Sequence, residues 1–284
     1  MILDAIKYEV GLAYNYLGWL GYFNKNNGRL LPYYPVKKLR GYEVNAGGSI
    51  FLQQVLEDII ELKPPKITKY LSADLNCLSS IADDLIDHDG EDLERFRAII
   101  EDPSIDVPEE WKLVKFLAEH VQNVMGDNYN EMKAILPSSM ESLKMELDAK
   151  TKEETILATE RVGEAYGDFG IKLAELYTGK NSDKDLRRAA QIPFIIGNFI
   201  DDLGDIYDDL GKKNTYVTLL YDELKDRLPK KEVVKILQKD VDGICKDFYD
   251  EGLSLVGNKD AYRLMVNSIM MRFNIKRRKT MRKF

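Results

Sequence analysis

Cysteine is almost absent from the chain. Two occur in 284 residues, Cys77 and Cys245, far apart and in apolar or mixed helical surroundings, so neither a disulfide framework nor a zinc site can be built from them. That pattern fits a reducing cytoplasm. Histidine is equally sparse, and His88 and His120 have no partners at metal-ligand spacing, so both read as structural residues. No window of 18 or more residues is apolar and uncharged enough to span a bilayer. Asp4, Lys7 and Glu9 interrupt the first apolar stretch before a secretory core could develop. The expectation is a soluble, cytoplasmic protein, or one held peripherally at a membrane. Positive charge is in the minority, with 41 Lys and Arg against 48 Asp and Glu and a net charge of −7. A nucleic-acid partner bound through a broad basic face is thereby excluded, because phosphate contacts need clustered cations.

Strand-like alternation is also lacking. Apolar residues recur at three and four instead, as in Ile50, Leu52, Val55, Leu56, Ile59 and Ile60, and in Leu113, Val114, Leu117, Ala118 and Val121, which is the period of a helix with one buried face. The expected fold class is all-α. Helix breaks are marked by Pro64 and Pro65, Pro103 and Pro108, Pro137, and the stretches Gly179 to Asp183, Gly211 to Asn214 and Gly257 to Asp260. None of these is a long low-complexity linker, so 1–284 reads as a single helical domain of eight to ten helices, ending in a basic tail at about 272–284.

An acidic pentad occurs twice, as Asp83-Asp84-Leu85-Ile86-Asp87 and as Asp201-Asp202-Leu203-Gly204-Asp205. A shuffled chain of this composition would carry roughly 0.24 copies of Asp-Asp-x-x-Asp. On a helix the three aspartates of each copy fall within a ~100° arc. Asn76, Ser79 and Ser80 extend the first stripe, and Gln191 and Asn198 extend the second. A solvated surface intersperses both signs of charge, yet neither Tyr70 to Glu94 nor Ala189 to Gly211 contains a Lys or Arg. Crowded carboxylates repel one another unless something positive joins them. A hard divalent ion such as Mg²⁺ takes oxygen ligands and commonly bridges one or two protein carboxylates to substrate phosphates. Two acidic helices facing one another would trap a diphosphate. An EF-hand around Gly90 is excluded, because the loop glycine must be sixth and the count places Leu85 at position one.

With both motifs in view, the chain resembles the class I isoprenoid synthases, which include trans-prenyltransferases, squalene and phytoene synthases, and terpene cyclases. Ser80-Ile81-Ala82-Asp83-Asp84-Leu85-Ile86-Asp87 is similar to their first motif. Asn198-Phe199-Ile200-Asp201-Asp202-Leu203-Gly204-Asp205 resembles the prenyltransferase form of the second, and Gly211-Lys212-Lys213-Asn214-Thr215 resembles the lysine-bearing segment that follows it. The resemblance runs from about Ser49 to Leu220. There are departures. The N-terminal phosphate segment of prenyltransferases is only echoed by Gly28-Arg29-Leu30-Leu31-Pro32, and Arg95 and Arg97 stand apart where paired arginines belong. Ile206 stands where squalene and phytoene synthases carry an acid, and the nearest approach to the cyclase triad is Asp201, Asp205 and Asp209.

The resemblance implies an isoprenoid-synthase fold and two or three Mg²⁺ ions, with Mn²⁺ as a substitute, held by Asp83, Asp84, Asp87, Asp201, Asp202 and Asp205. The substrates implied are prenyl diphosphates. The leading expectation is prenyl transfer to a second isoprenoid, head-to-tail or head-to-head. The alternatives are a terpene cyclase acting on one prenyl diphosphate and a non-catalytic helical subunit. Arg161, Lys172, Lys212, Lys213 and Asn198 are the expected diphosphate contacts. Leu78, Ser79 and Ser80 are expected to line the pocket, where small side chains leave room for a long chain, and Phe194 is the aromatic expected beside the carbocation. Gly163, Gly167 and Gly170 mark a helix spacing that permits close approach or a kink. A homodimer is implied. The basic tail reads first as a solvated run, with contact to an anionic membrane or closure over the diphosphate as the alternatives.

Overall fold

The computed structural model describes residues 49–86 and 90–281, and every regular element among them is helical. We number the helices in chain order: α1 (49–59), α2 (Ile67–Ile86), α3 (Gly90–Glu101), α4 (Lys112–Met125), α5 (Asn128–Lys133), α6 (Leu136–Asp148), α7 (Lys152–Thr178), α8 (Lys184–Asp209), α9 (Tyr216–Leu224), α10 (Lys230–Leu255) and α11 (Lys259–Met281). A 3₁₀ turn, Glu109–Trp111, leads into α4. These are eleven helices among the described residues, one more than the eight to ten expected. The surplus is explained by α5, six residues too short to carry an amphipathic period. Every proline- or glycine-marked break falls between helices or at a first turn, as at Pro137. No described helix is long and apolar enough to cross a membrane.

The chain divides into two compact units. The first holds residues 49–54, Lys63–Leu136 and Leu173–Gly179. In it α2 packs on α4, with α3 against both. Leu71, Cys77, Leu78 and Ile81 of α2 and Val114, Leu117, Ala118 and Val121 of α4 are buried, which is the three-and-four spacing that indicates a helix face. Buried within this unit, His120 Nε2 lies 3.1 Å from an Asp74 carboxylate oxygen, so the imidazole has a structural partner, as a core histidine requires. The Tyr129 hydroxyl donates to the Ile100 carbonyl at 2.7 Å and ties α5 to the end of α3.

The second unit holds Val55–Leu62, Pro137–Lys172 and Lys180–Phe284. Its centre is α8, which packs mainly on α10 and α11 and meets α9 near its end. A helix that is apolar nearly all round belongs inside a core, and Ile192, Ile195, Ile196, Phe199, Ile200, Leu203 and Ile206 of α8 are all buried. Asp183 starts the helix by accepting from the Asp185 and Leu186 N–H groups. Pro193 sits mid-helix, where it offers no N–H to the preceding turn. The packing on every side carries the helix through.

Gly163 and Gly167 allow α7 to approach α8 closely, as their spacing indicates. A Cβ at Gly163 would lie 2.6 Å from the Ile195 Cα and backbone nitrogen, and one at Gly167 would lie 2.9 Å from the Gln191 Cα. The neighbours are backbone and cannot rotate away. Gly163→Ala is expected to cost on the order of 1–3 kcal/mol through forced separation of the two helices. Urea unfolding monitored by circular dichroism would show this as a lower midpoint with an unchanged slope. The same crossing is flanked by charge. Arg188 reaches Glu160, Glu164 and Glu251, each at 2.7 Å, and so joins α7, α8 and α10.

Candidate functional site

The second acidic motif occupies the last turns of α8. At about 100° per residue, Asn198, Asp201, Asp202, Asp205 and Asp209 share an arc of ~100°. Asp202 is the most deeply set of the motif's aspartates: it is only 9% exposed, and its Oδ2 is buried without a hydrogen-bond partner. Burial pushes its carboxyl well above the usual carboxylate range, with the neighbouring charge of Glu146 adding to the rise and Lys213 opposing it. The Asn198 amide nitrogen, one turn earlier, is also buried without a partner. Most buried polar groups in a folded chain are hydrogen-bonded, and these two without a partner share one stripe of α8.

The loop after α8 returns a cation to this stripe, and its backbone shows why. Gly211 has φ +75°, a left-handed conformation that glycine adopts without strain and that ends the helix. The N–H groups of Lys212 and Lys213 then both donate to the Asp209 carbonyl, at 2.9 and 3.0 Å. Asn214 donates from Nδ2 to the Ala149 carbonyl at 3.1 Å, which fixes the loop to the end of α6. Thr215 caps α9 in a reciprocal capping box with Thr218, and the Thr218 hydroxyl donates to the Lys213 carbonyl at 3.0 Å. Held on both sides, Lys213 places its ammonium 3.2 Å from a Glu146 carboxylate oxygen on α6. Burial alone would lower its pKa, but Glu146 and Asp202 outweigh that and hold it above the ordinary lysine range. Lys212 is exposed beside it.

The other expected contacts are more dispersed. Arg161 points outward from α7 and pairs with Glu164 of the same helix at 2.7 Å. It lies two residues before Gly163, about 200° around the helix from the face that meets α8. Lys172 is half-buried on α7, and Phe194 is half-buried on α8, one turn before Asn198. Gln191 is engaged within the unit, donating to Asp168 at 2.7 Å. A shallow groove of about 420 Å³ also lies in this unit, between α6 and α7, lined in part by Met145, Asp148, Ala149 and Leu157. None of the expected pocket residues lines it.

In the first unit, Asp83 and Asp84 lie in the last turn of α2, and Asp87 falls outside the described residues, as do His88 and Asp89. Leu78 is buried in the core and Ser79 is half-buried, while Ser80 lies on the same helix. Asn76, two turns before Asp83, has a buried side-chain oxygen without a partner. Sequence reasoning missed Glu146, which belongs to no motif. Only the path of the loop brings it to Lys213.

Mg²⁺ suits this donor set by its chemistry. The carboxylates on the α8 stripe are oxygen donors, which a hard cation requires, and the Asp202 Oδ2 has no hydrogen-bond partner within the protein. Among the described residues no group of three or more His, Cys, Asp or Glu converges as a finished ion cage.

No family model and no curated protein sequence matches the chain. Among solved structures it is similar to wild-type cucumene synthase, at 11% identity and a TM-score of 0.56 over 96% of each chain. A single-residue variant of cucumene synthase matches at 11% identity and a TM-score of 0.55, over 95% of this chain and 96% of that one. Cucumene synthase is a terpene synthase of the class I terpenoid synthase superfamily, and the likeness establishes that all-helical fold for this chain.

Proposed function

We propose that this chain is a class I isoprenoid synthase that ionises an allylic prenyl diphosphate, and that it acts as a terpene cyclase on a single substrate. The observation that carries the reading is the buried, unpartnered carboxylate oxygen of Asp202, within a second aspartate motif, in a chain with the terpene synthase fold. Fold alone does not define chemistry. The motif supplies what the fold does not. Prenyl transfer to a second isoprenoid, which the motif spelling favours, is the alternative. The structural neighbours are terpene synthases, which supports the single-substrate reaction over transfer to a second isoprenoid.

In this reading Asp201, Asp202 and Asp205 on α8 would hold Mg²⁺, and Asp83, Asp84 and Asp87 of the first motif are proposed as Mg²⁺ ligands in their own right. When bound, the ion neutralises charge that develops on the departing diphosphate oxygens. The chain's own groups do the rest. Lys212 and Lys213 follow the acidic helix directly and supply positive charge to the leaving group, and the Asn198 amide donates to a phosphate oxygen in place of the partner it lacks within the protein. Ionisation breaks the allylic C–O bond, and the electron pair leaves with the diphosphate. The carbocation is then attacked by a double bond of the same chain, and loss of a proton or capture of water ends the sequence. Phe194 would present its ring face to that cation, and apolar neighbours would keep water from it.

The test is to incubate purified protein and Mg²⁺ with C10, C15 and C20 allylic diphosphates, with and without isopentenyl diphosphate, and to identify products by mass spectrometry. A cyclic hydrocarbon or alcohol of unchanged carbon number supports the cyclase. Elongation that depends on isopentenyl diphosphate, or a hydrocarbon of doubled length, would replace it with prenyl transfer. No turnover of any substrate would leave the non-catalytic subunit.

A further inference from the structure

The acidic stripe of α8 raises a competition that its motif does not reveal. A lysine ammonium next to a ligand carboxylate is a rival for the position a metal ion would take, and Lys213 is such a rival. Its backbone is fixed by the Asp209 carbonyl on one side and the Thr218 hydroxyl on the other, so its ammonium can reach only nearby acids. The carboxylates acting on it are, in order, Glu146, Asp202 and Asp209. Glu146 has the ammonium, at 3.2 Å. Asp202 keeps a buried oxygen with no partner.

We infer that Glu146 is a positioning residue: by retaining the Lys213 ammonium it keeps the Asp202 carboxylate open for a divalent cation and its diphosphate. The inference rests on Asp202 being a cation ligand, as proposed above. Glu146 is well placed for the task because the Asn214 amide ties the loop to Ala149, three residues further along the same segment. The backbones that carry Glu146 and Lys213 are therefore held within reach of each other. When a diphosphate arrives, Lys213 has two stable partners to choose between, and its release from Glu146 brings a positive charge to the leaving group while Asp202 stays with the cation. Without the Glu146 charge, Asp202 is the strongest remaining attraction for the ammonium, and the ligand position closes.

Mn²⁺ alone serves as the probe, its free aqua ion read by electron paramagnetic resonance, with the full chain as parent, Glu146→Gln, Lys213→Met and the double variant. Glu146→Gln is expected to weaken Mn²⁺ binding by roughly 10-fold, the effect of one newly formed charge pair at the ligand position. Lys213→Met should tighten it, and adding Glu146→Gln in that background should change little. An equal loss in both backgrounds would overturn the inference, since Glu146 would then be acting as a ligand, as a general field or as a fold element. Lys213→Met is decisive on its own should Glu146→Gln fail to fold, because weaker Mn²⁺ binding there contradicts a competing ammonium. Asp202→Asn separates the two levels. If it leaves Mn²⁺ binding unchanged, the site reading falls and the inference with it. If it abolishes binding while the cycle is additive, the inference alone falls.

Discussion

Asp202→Asn should lose at least ~100-fold in turnover, the usual scale for removing one group that stabilises developing charge, while the purified protein becomes more heat-stable than the parent. The two effects have one cause. Asp202 is buried with an unpartnered oxygen, and a buried charge without full compensation is costly to the free protein. Removing that charge should gain about 1 kcal/mol, or roughly 2 °C in Tm for a chain of this size. The pH dependence has a definite sign. The carboxyl's pKa is raised in the folded state by burial first and by Glu146 next, so ionising it costs stability as pH rises through the raised value. The variant's advantage should therefore be larger at pH 8 than at pH 5. A variant that loses activity and also melts earlier at every pH would mean that Asp202 is an ordinary fold residue.

Chelation should bring turnover to background, and Mg²⁺ should restore it, with Mn²⁺ as a substitute. The charge around the second motif requires this. Asp201, Asp202, Asp205 and Asp209 gather on one face of α8, and Lys213, which follows them, is engaged with Glu146. A diphosphate is itself an anion and would be repelled by such a surface unless a divalent cation came with it. Full activity in excess EDTA would show that the acidic stripe has no part in the reaction.

Much of the fold was readable because its signals are local. The periodicity around Val114 and Leu117 and the breaks at Pro64, Pro103 and Gly211 depend on neighbours in the chain, and helices follow from neighbours. The continuation of α8 through Pro193 follows instead from its position at the centre of the second unit, where α10 and α11 pack against it. The site divides in the same way. The aspartate stripe is a local pattern, and the structure keeps Asn198, Asp201, Asp202 and Asp205 on one face. Glu146 is distant in the chain and reaches Lys213 only through the loop path, and Asp74 meets His120 across 46 positions. Arg161 is instructive because its orientation could have been worked out. Gly163 and Gly167 define the face of α7 that meets α8, and a residue two positions before Gly163 must look elsewhere.

Release of inorganic diphosphate tests the central claim most directly. Geranyl, farnesyl and geranylgeranyl diphosphates would each be supplied as sole substrate with Mg²⁺, and diphosphate would be measured enzymatically. The account predicts release from at least one of them without any second isoprenoid, lost on chelation and reduced at least ~100-fold by Asp202→Asn. Release from none of the three, by folded protein with Mg²⁺ present, would contradict it.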